Sequence, residues 1–251
     1  MRRWDRQTGE DGDYEMRGDT VRLDLSSIVI AGLLIPALAP AQADHANHAV
    51  HEAMAGAMAD SPHMRMTAAR PRTVADSVRA MAIADTLRLV LARYANPAAA
   101  EAQGYTLFLP NVKNQKVFHY TNWKNAMQEA FRFDPAAPTS ILYKKDTMGR
   151  MVLVGAMYTM PKGASVEDLD RRVPVSVAPW HLHTNLCVPR KGAESRYSEL
   201  QHGKPLFGLN GSIVSKEVCD AENGRFLSTV FGWMVHANVF AGTDLASVWA
   251  H

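Results

Sequence analysis

Apolar positions recur at helical spacing through residues 74–94. They fall every three or four residues, which is typical of an amphipathic helix. Thr73 and Asp76 have the spacing of a capping box, so the helix should begin directly after Thr73. Asn96-Pro97 should end it, because proline disfavours helical backbone in the residue before it. The predicted core-facing stripe consists of Val74, Val78, Met81, Leu87, Val90, Leu91 and Tyr94.

Alternation of apolar and polar residues predicts strands farther along the chain. Residues 140–145 and 150–160 flank a turn at Asp146–Gly149 and are typical of a β-hairpin. Residues 175–187 and 231–240 predict two later strands, and short helices are expected between them. The order of elements favours one α+β domain over residues 73–251. We expect a small antiparallel sheet of four or five strands, with helices packed on one face.

The N-terminal region has the pattern of an export signal. Ile28–Pro40 is apolar but shorter than the roughly 20 residues that a membrane span needs. Ala41-Gln42-Ala43 follows as a small-x-small cleavage sequence, so residues 1–43 are predicted to be a signal peptide with an over-long n-region. The alternative is an uncleaved membrane anchor. We expect an exported protein, periplasmic or extracellular, with no stable membrane span after cleavage.

Residues 44–72 form a second distinct segment, rich in His and Met and poor in large aliphatic residues. Such a composition buries little apolar surface, so the segment is predicted to be a mobile tail. Its side chains make it an auxiliary metal-binding segment. They are His45, His48, His51, Met54, Met58, His63, Met64 and Met66.

Composition narrows the classes of function. The formal net charge of +2 carries no sign of a nucleic-acid partner. A hydrophobic fraction of 47% with 21% charged residues is ordinary for a globular protein. The 10 His and 13 Met residues stand out and favour metal chemistry. The sequence contains no phosphate loop, zinc-protease helix or haem-attachment motif.

Residues 180–187 carry the sharpest chemical pattern. Strand alternation puts His181 and His183 on one face, about 6–7 Å apart along the strand. His236 lies in a later predicted strand that can pair with the first, and His119 is the remaining candidate in the domain. Several imidazoles together suit copper or zinc, with iron or manganese as alternatives. We therefore predict a transition-metal site on an exposed sheet face; solvated surface histidines are the alternative.

Cys187 and Cys219 allow two interpretations. In an exported chain a cysteine pair usually forms a structural disulfide. The alternative makes Cys187 a copper thiolate beside His181 and His183. We favour the disulfide.

Several other residues are expected to be structural. The tryptophans Trp123, Trp180, Trp233 and Trp249 are predicted core anchors, since Trp is buried on average. The methionines Met157, Met160 and Met234 are predicted to fill the core rather than to bind metal. Asp168, Asp170 and Glu194 are the carboxylates nearest in sequence to the histidine motif, and the sequence does not choose among them.

From about His63 to Trp249 the chain resembles a family of exported bacterial proteins of unassigned function. The resemblance rests on the segments 63–67, 109–113, 154–158, 180–187 and 232–236. It implies export but no activity. The H-x-H pair with a later histidine is also similar to cupin metal sites, although residues 184–189 lack the cupin glutamate.

The leading hypothesis is an exported copper- or zinc-binding protein that uses His181, His183, His236 and His119. A metal-dependent enzyme, a cupin-like oxygenase or hydrolase, is the first alternative. A non-catalytic envelope interaction domain is the second. No acid or base has a fixed spacing from the histidines, so the sequence identifies no catalytic residue and no protein partner.

Overall fold

A computed structural model of the chain describes residues 61–110 and 115–250. The predicted signal peptide and most of the predicted tail lie outside the described residues. The helices are α1 (Val74–Leu91), α2 (Pro97–Glu101), α3 (Trp123–Glu129), α4 (Val166–Arg172), α5 (Lys216–Ala221) and α6 (Leu245–Val248). The strands are β1 (Met64–Met66), β2 (Thr106–Leu107), β3 (Phe118–Thr121), β4 (Ser140–Lys145), β5 (Met151–Met160), β6 (His181–Pro189), β7 (Leu200–Gln201), β8 (Lys204–Pro205) and β9 (Gly224–Ala237).

The main sheet contains seven strands in the order β1-β6-β9-β5-β4-β3-β2, and each neighbouring pair is antiparallel. The α+β class is confirmed, but the expectation of four or five strands is wrong. The edge strands explain the difference: β1 has three residues and β2 has two, too few for alternation to reveal them. Strand β1 lies inside the predicted tail, so the folded domain begins before residue 73.

Helix α1 begins as predicted, because Thr73 and Asp76 form a reciprocal capping box. Its buried side differs from the predicted stripe. Val74 is 79% exposed and Val78 is 64% exposed. The residues that face the core are Ala80, Ile83, Ala84, Leu87 and Leu91. Two of these residues, Ala80 and Ala84, are alanines. Alanine is less hydrophobic than valine, so a hydrophobicity pattern does not identify the alanines as the buried positions.

The core lies on the sheet face covered by α1, α4 and α6. Trp180, Trp233 and Trp249 are buried there, as predicted. Trp180 is fixed further, since its indole N–H donates to the carbonyl oxygen of Val173 at 3.1 Å. Trp123 is 59% exposed and is therefore not a core anchor.

Strand β9 changes register against β6 between His181 and His183. At this point Phe231 has a left-handed backbone with φ of 64°. Gly232 follows, and a Cβ there would lie 3.0 Å from the carbonyl carbon of Met160. Any larger residue would therefore push β5 and β9 apart. The irregularity is a β-bulge, and it sets which face the later residues of β9 present.

The predicted disulfide between Cys187 and Cys219 is confirmed, with their Cα atoms 5.6 Å apart. It joins β6 to α5 within a second small apolar cluster that includes Phe207 and Ile213. Because the Cys187 sulfur is bonded to another sulfur, the thiolate interpretation of this residue is wrong. Of the helices in residues 61–110 and 115–250, none is long and apolar enough to cross a membrane.

Candidate metal centre

Strand register places histidine and methionine side chains on the sheet face opposite the core. Residues directly opposite each other in an antiparallel pair share a face. His181 lies opposite Met66 of β1 and Met234 of β9. His236 lies opposite Met157 of β5. We call this surface the histidine face; its members are Met64, Met66, His119, Met157, His181, His183, Met234 and His236.

The four predicted histidines form a series of ring contacts on this face. The ring centroids of His119 and His236 are 5.6 Å apart. Those of His236 and His181 are 5.2 Å apart, and those of His181 and His183 are 5.4 Å apart. Imidazoles from β3, β6 and β9 therefore meet, although these strands are far apart in the sequence.

Curvature of the sheet brings His119 to this series. Strands β5 and β4 lie between β9 and β3. Neighbouring strands are about 4.8 Å apart, so on a flat sheet β9 and β3 would be roughly 14 Å apart. An imidazole cannot cover that gap, yet the His119 and His236 rings touch. The sheet must therefore curl, and the histidine face is its concave side.

Burial disfavours the charged form of two of these imidazoles, His119 and His183. His181 is only 1% exposed, which corrects the expectation of an exposed site. Burial lowers the pKa of His119 to about 4, although a hydrogen bond to the Val117 carbonyl opposes the shift. Burial also lowers the pKa of His183 below its ordinary value. A neutral imidazole is the form that binds a metal ion.

His63 is a buried residue whose role the sequence did not reveal. Its Nε2 donates to the carbonyl oxygen of Gly211 at 2.6 Å. Its Nδ1 lies 3.1 Å from the carbonyl oxygen of Asn185. Both ring nitrogens are engaged with backbone, so His63 joins β1, β6 and the loop around Gly211. Asn185 has a left-handed backbone, and its side-chain amide donates to the carbonyl oxygen of Pro62 at 2.9 Å.

The spacing of the rings is compatible with two imidazoles that bind one metal ion. Two imidazoles bound to one tetrahedral ion through Zn–N bonds of about 2.0–2.1 Å have centroids roughly 5 Å apart. The contacts in the series match this spacing. Even so, no group of three or more His, Cys, Asp or Glu side chains in the described part of the chain is arranged to hold an ion.

An aromatic cluster stands beside the histidine series. The backbone N–H of Phe108 donates to the carbonyl oxygen of His119 at 2.8 Å. The Phe108 ring makes edge contacts with Trp123 and with Phe231. Trp123 and Phe231 are largely exposed, at 59% and 47%. Curvature explains this contact too, because Phe108 follows β2 at one end of the sheet and Phe231 belongs to β9.

The carboxylates nearest in sequence to the histidine motif have local structural roles. Asp168 belongs to the capping box of α4, and Glu194 accepts from the N–H of Gly192 at 2.9 Å. Asp170 accepts from the N–H of Val175 at 3.0 Å. The buried carboxyl is Glu129, which accepts from the Thr159 N–H at 2.8 Å. Burial raises the pKa of Glu129 to about 7.

No family model matches the chain, and comparisons with curated proteins and with solved structures give no match either. The histidine face is therefore interpreted from its own geometry and chemistry.

Proposed function

We propose that this protein is an exported metal-binding protein that holds a copper or zinc ion on the histidine face. His119, His181, His183 and His236 are the proposed ligands. Residues 44–72 supply an auxiliary binding segment. Export is supported by the disulfide, since such bonds persist in oxidising compartments.

The observation that carries this proposal is the series of ring contacts from His119 through His236 and His181 to His183. Four imidazoles side by side offer several nitrogen donors within the reach of one ion. Imidazole nitrogen is a common ligand of both zinc and copper. The low pKa of His119 supports the same proposal, because protons then compete less with a metal ion for the ring nitrogens.

Metal stoichiometry of the purified full chain tests the proposal. Equilibrium dialysis against Zn(II), followed by elemental analysis, should give one ion fewer for the His181→Asn, His236→Asn double variant than for the wild type. The matched control is His202→Asn, which removes an exposed histidine outside the histidine face. Asparagine tolerates the left-handed backbone of residue 202, so this control should fold normally.

Two results would overturn the proposal. One is wild-type stoichiometry in the double variant. The other is an equal loss in the His202→Asn control, which would point to nonspecific binding by any histidine. Because His181 is buried, circular dichroism of the metal-free variants must match the wild type. The single His236→Asn change, at a half-buried position, supplies a milder variant with the same expected direction.

A further inference from the structure

Methionine thioethers are arranged around the imidazoles of the histidine face. Met66 and Met234 lie on either side of His181 in the sheet. Met157 lies opposite His236, and Met64 lies opposite His183. Three strand pairings, β1–β6, β6–β9 and β9–β5, therefore each set a methionine directly opposite a histidine. Directly opposite residues have Cβ atoms about 4.5–5.5 Å apart, a distance that the flexible methionine side chain spans easily.

The burial of these methionines differs between the strands. Met234 and Met157 are 7% and 6% exposed and pack with Leu142 in one apolar cluster. Met66, on the edge strand β1, is half-buried. His181 therefore has one deeply buried thioether on its β9 side and one more accessible thioether on its β1 side. Such a pair would offer an ion two neutral thioether donors, one on each side of the His181 imidazole.

The ligand types present favour a soft, singly charged ion. Thioether and imidazole are both neutral, and thioether sulfur selects Cu(I) over harder ions. Within residues 61–110 and 115–250, no group of three or more His, Cys, Asp or Glu side chains is arranged to hold an ion. Strand register instead places thioethers beside His181. The cost of moving an ion from water into a buried site grows with the square of its charge. A monovalent ion among neutral ligands therefore costs far less than Zn(II) or Cu(II).

We propose that the histidine face is a Cu(I) site in which His181 and His236 bind together with the thioethers of Met66 and Met234. This inference rests on the proposed metal-binding function. It names the ion, selects His181 and His236 among the four histidines, and adds two thioether ligands. Binding adds no redox step, because the ion arrives and leaves as Cu(I). It also changes the role of Met234, which the sequence alone assigns to the core.

Competition with a chromophoric Cu(I) chelator, bicinchoninate, under anaerobic conditions tests the inference on the full chain. The test variant is Met66→Leu, Met234→Leu, which keeps side-chain size while removing both sulfurs. The matched control is Met160→Leu, because Met160 is also 7% exposed but faces the core on the other side of the sheet. Cu(I) affinity should fall roughly 10- to 100-fold in the double variant, a range reached even by outer-shell changes at metal sites. It should stay unchanged in the control.

The outcomes separate this inference from the proposed function. If the double leucine variant keeps wild-type Cu(I) affinity while His181→Asn, His236→Asn loses it, the histidines bind metal but the thioether ligands are wrong. If both double variants keep wild-type affinity for Cu(I) and Zn(II), the proposed function fails as well. X-ray absorption at one equivalent of Cu(I) gives a direct readout. Sulfur scattering should be present in the wild type and reduced in the leucine variant, and unchanged sulfur scattering contradicts the inference.

Discussion

The imidazoles of His119 and His236 are neighbours, with centroids 5.6 Å apart, although two strands of the sheet separate their own strands. This contact requires the sheet to curl around the histidine face. The same curvature brings Phe108 against Phe231. Curvature of this kind brings side chains from strands that are not adjacent into one cluster. On this surface, which the sequence predicts to be exposed, His181 is 1% exposed and lies between Met66 and Met234.

Zinc should stabilise the folded protein through this cluster. An ion that binds only the native state raises the free energy of unfolding by about 2.7 kcal/mol when its concentration is 100 times the dissociation constant. Thermal unfolding with and without Zn(II) should show this shift in the wild type and in His202→Asn. The shift should vanish in His181→Asn, His236→Asn. Sites that the folded and unfolded chains share contribute little, because only preferential binding to the native state shifts the equilibrium. A full shift in the double variant would contradict the site.

Acid should destabilise the metal-free protein through His119. Burial lowers the folded-state pKa of this residue to about 4, whereas the unfolded chain keeps a value of about 6.5. The stabilising contribution is therefore present above pH 6.5 and is lost as the pH falls towards 4. Urea unfolding with a chelator present, at several pH values, gives the change of unfolding free energy with pH. Between about pH 4 and pH 6.5, this slope should be smaller in His119→Asn than in the wild type by up to about 1.4 kcal/mol per pH unit. His202→Asn should keep the wild-type slope.

Local patterns in the sequence predicted elements whose structure depends on few residues. Three such features are predicted from the sequence and confirmed by the structure. They are the capping box of Thr73 and Asp76, the hairpin of β4 and β5, and the disulfide between Cys187 and Cys219. Each involves short-range backbone geometry or a unique pair. Alternation also correctly placed His181 and His183 on the face opposite Trp180.

Features that depend on long-range pairing could not be predicted in this way. Strand β1 has the pattern Met64-Arg65-Met66, which is too short to distinguish from a loop. Contact between His119 and His236 depends on the order and curvature of strands, and neither is encoded in local spacing. The predicted burial of Met157, Met160 and Met234 is confirmed. Local spacing does not predict that Met157 lies opposite His236 and Met234 opposite His181, because these pairs follow from strand register.

Neutral and alkaline pH should destabilise the protein through Glu129. Burial raises the folded-state pKa to about 7 from an ordinary value of 4.5. The contribution of protonated Glu129 to the free energy of unfolding is thus fully present below about pH 4.5. It is lost as the pH rises through 7, by an amount on the order of 3 kcal/mol. Glu129→Gln should remove this decline and exceed the wild type in stability at pH 8. Equal slopes between pH 5 and pH 8 in the two proteins, measured by urea unfolding, would exclude the effect.

His63 should hold the edge strand in place. Its buried ring bonds to the carbonyl oxygen of Gly211, and His63→Ala leaves that oxygen without its donor. We expect a loss of about 1–3 kcal/mol in unfolding free energy. Hydrogen exchange should also accelerate at Met64 and Thr184, whose amides lie at the β1–β6 edge. His63→Gln, which can still donate one hydrogen bond, should lose less; an equal loss in both variants would assign the effect to packing alone.

The disulfide should stabilise the domain without supplying a metal ligand. Cys187 and Cys219 are 32 residues apart, and closing a loop of this length restricts the unfolded chain by about 3–4 kcal/mol in the entropy model. The oxidised protein should show no thiol that reacts with a chromogenic probe, even in urea. The Cys187→Ser, Cys219→Ser double variant should be less stable by a similar amount. It should retain the wild-type Cu(I) and Zn(II) stoichiometry, because the bonded sulfurs are not donors. Loss of one ion in a variant that still folds would instead make Cys187 part of the metal site.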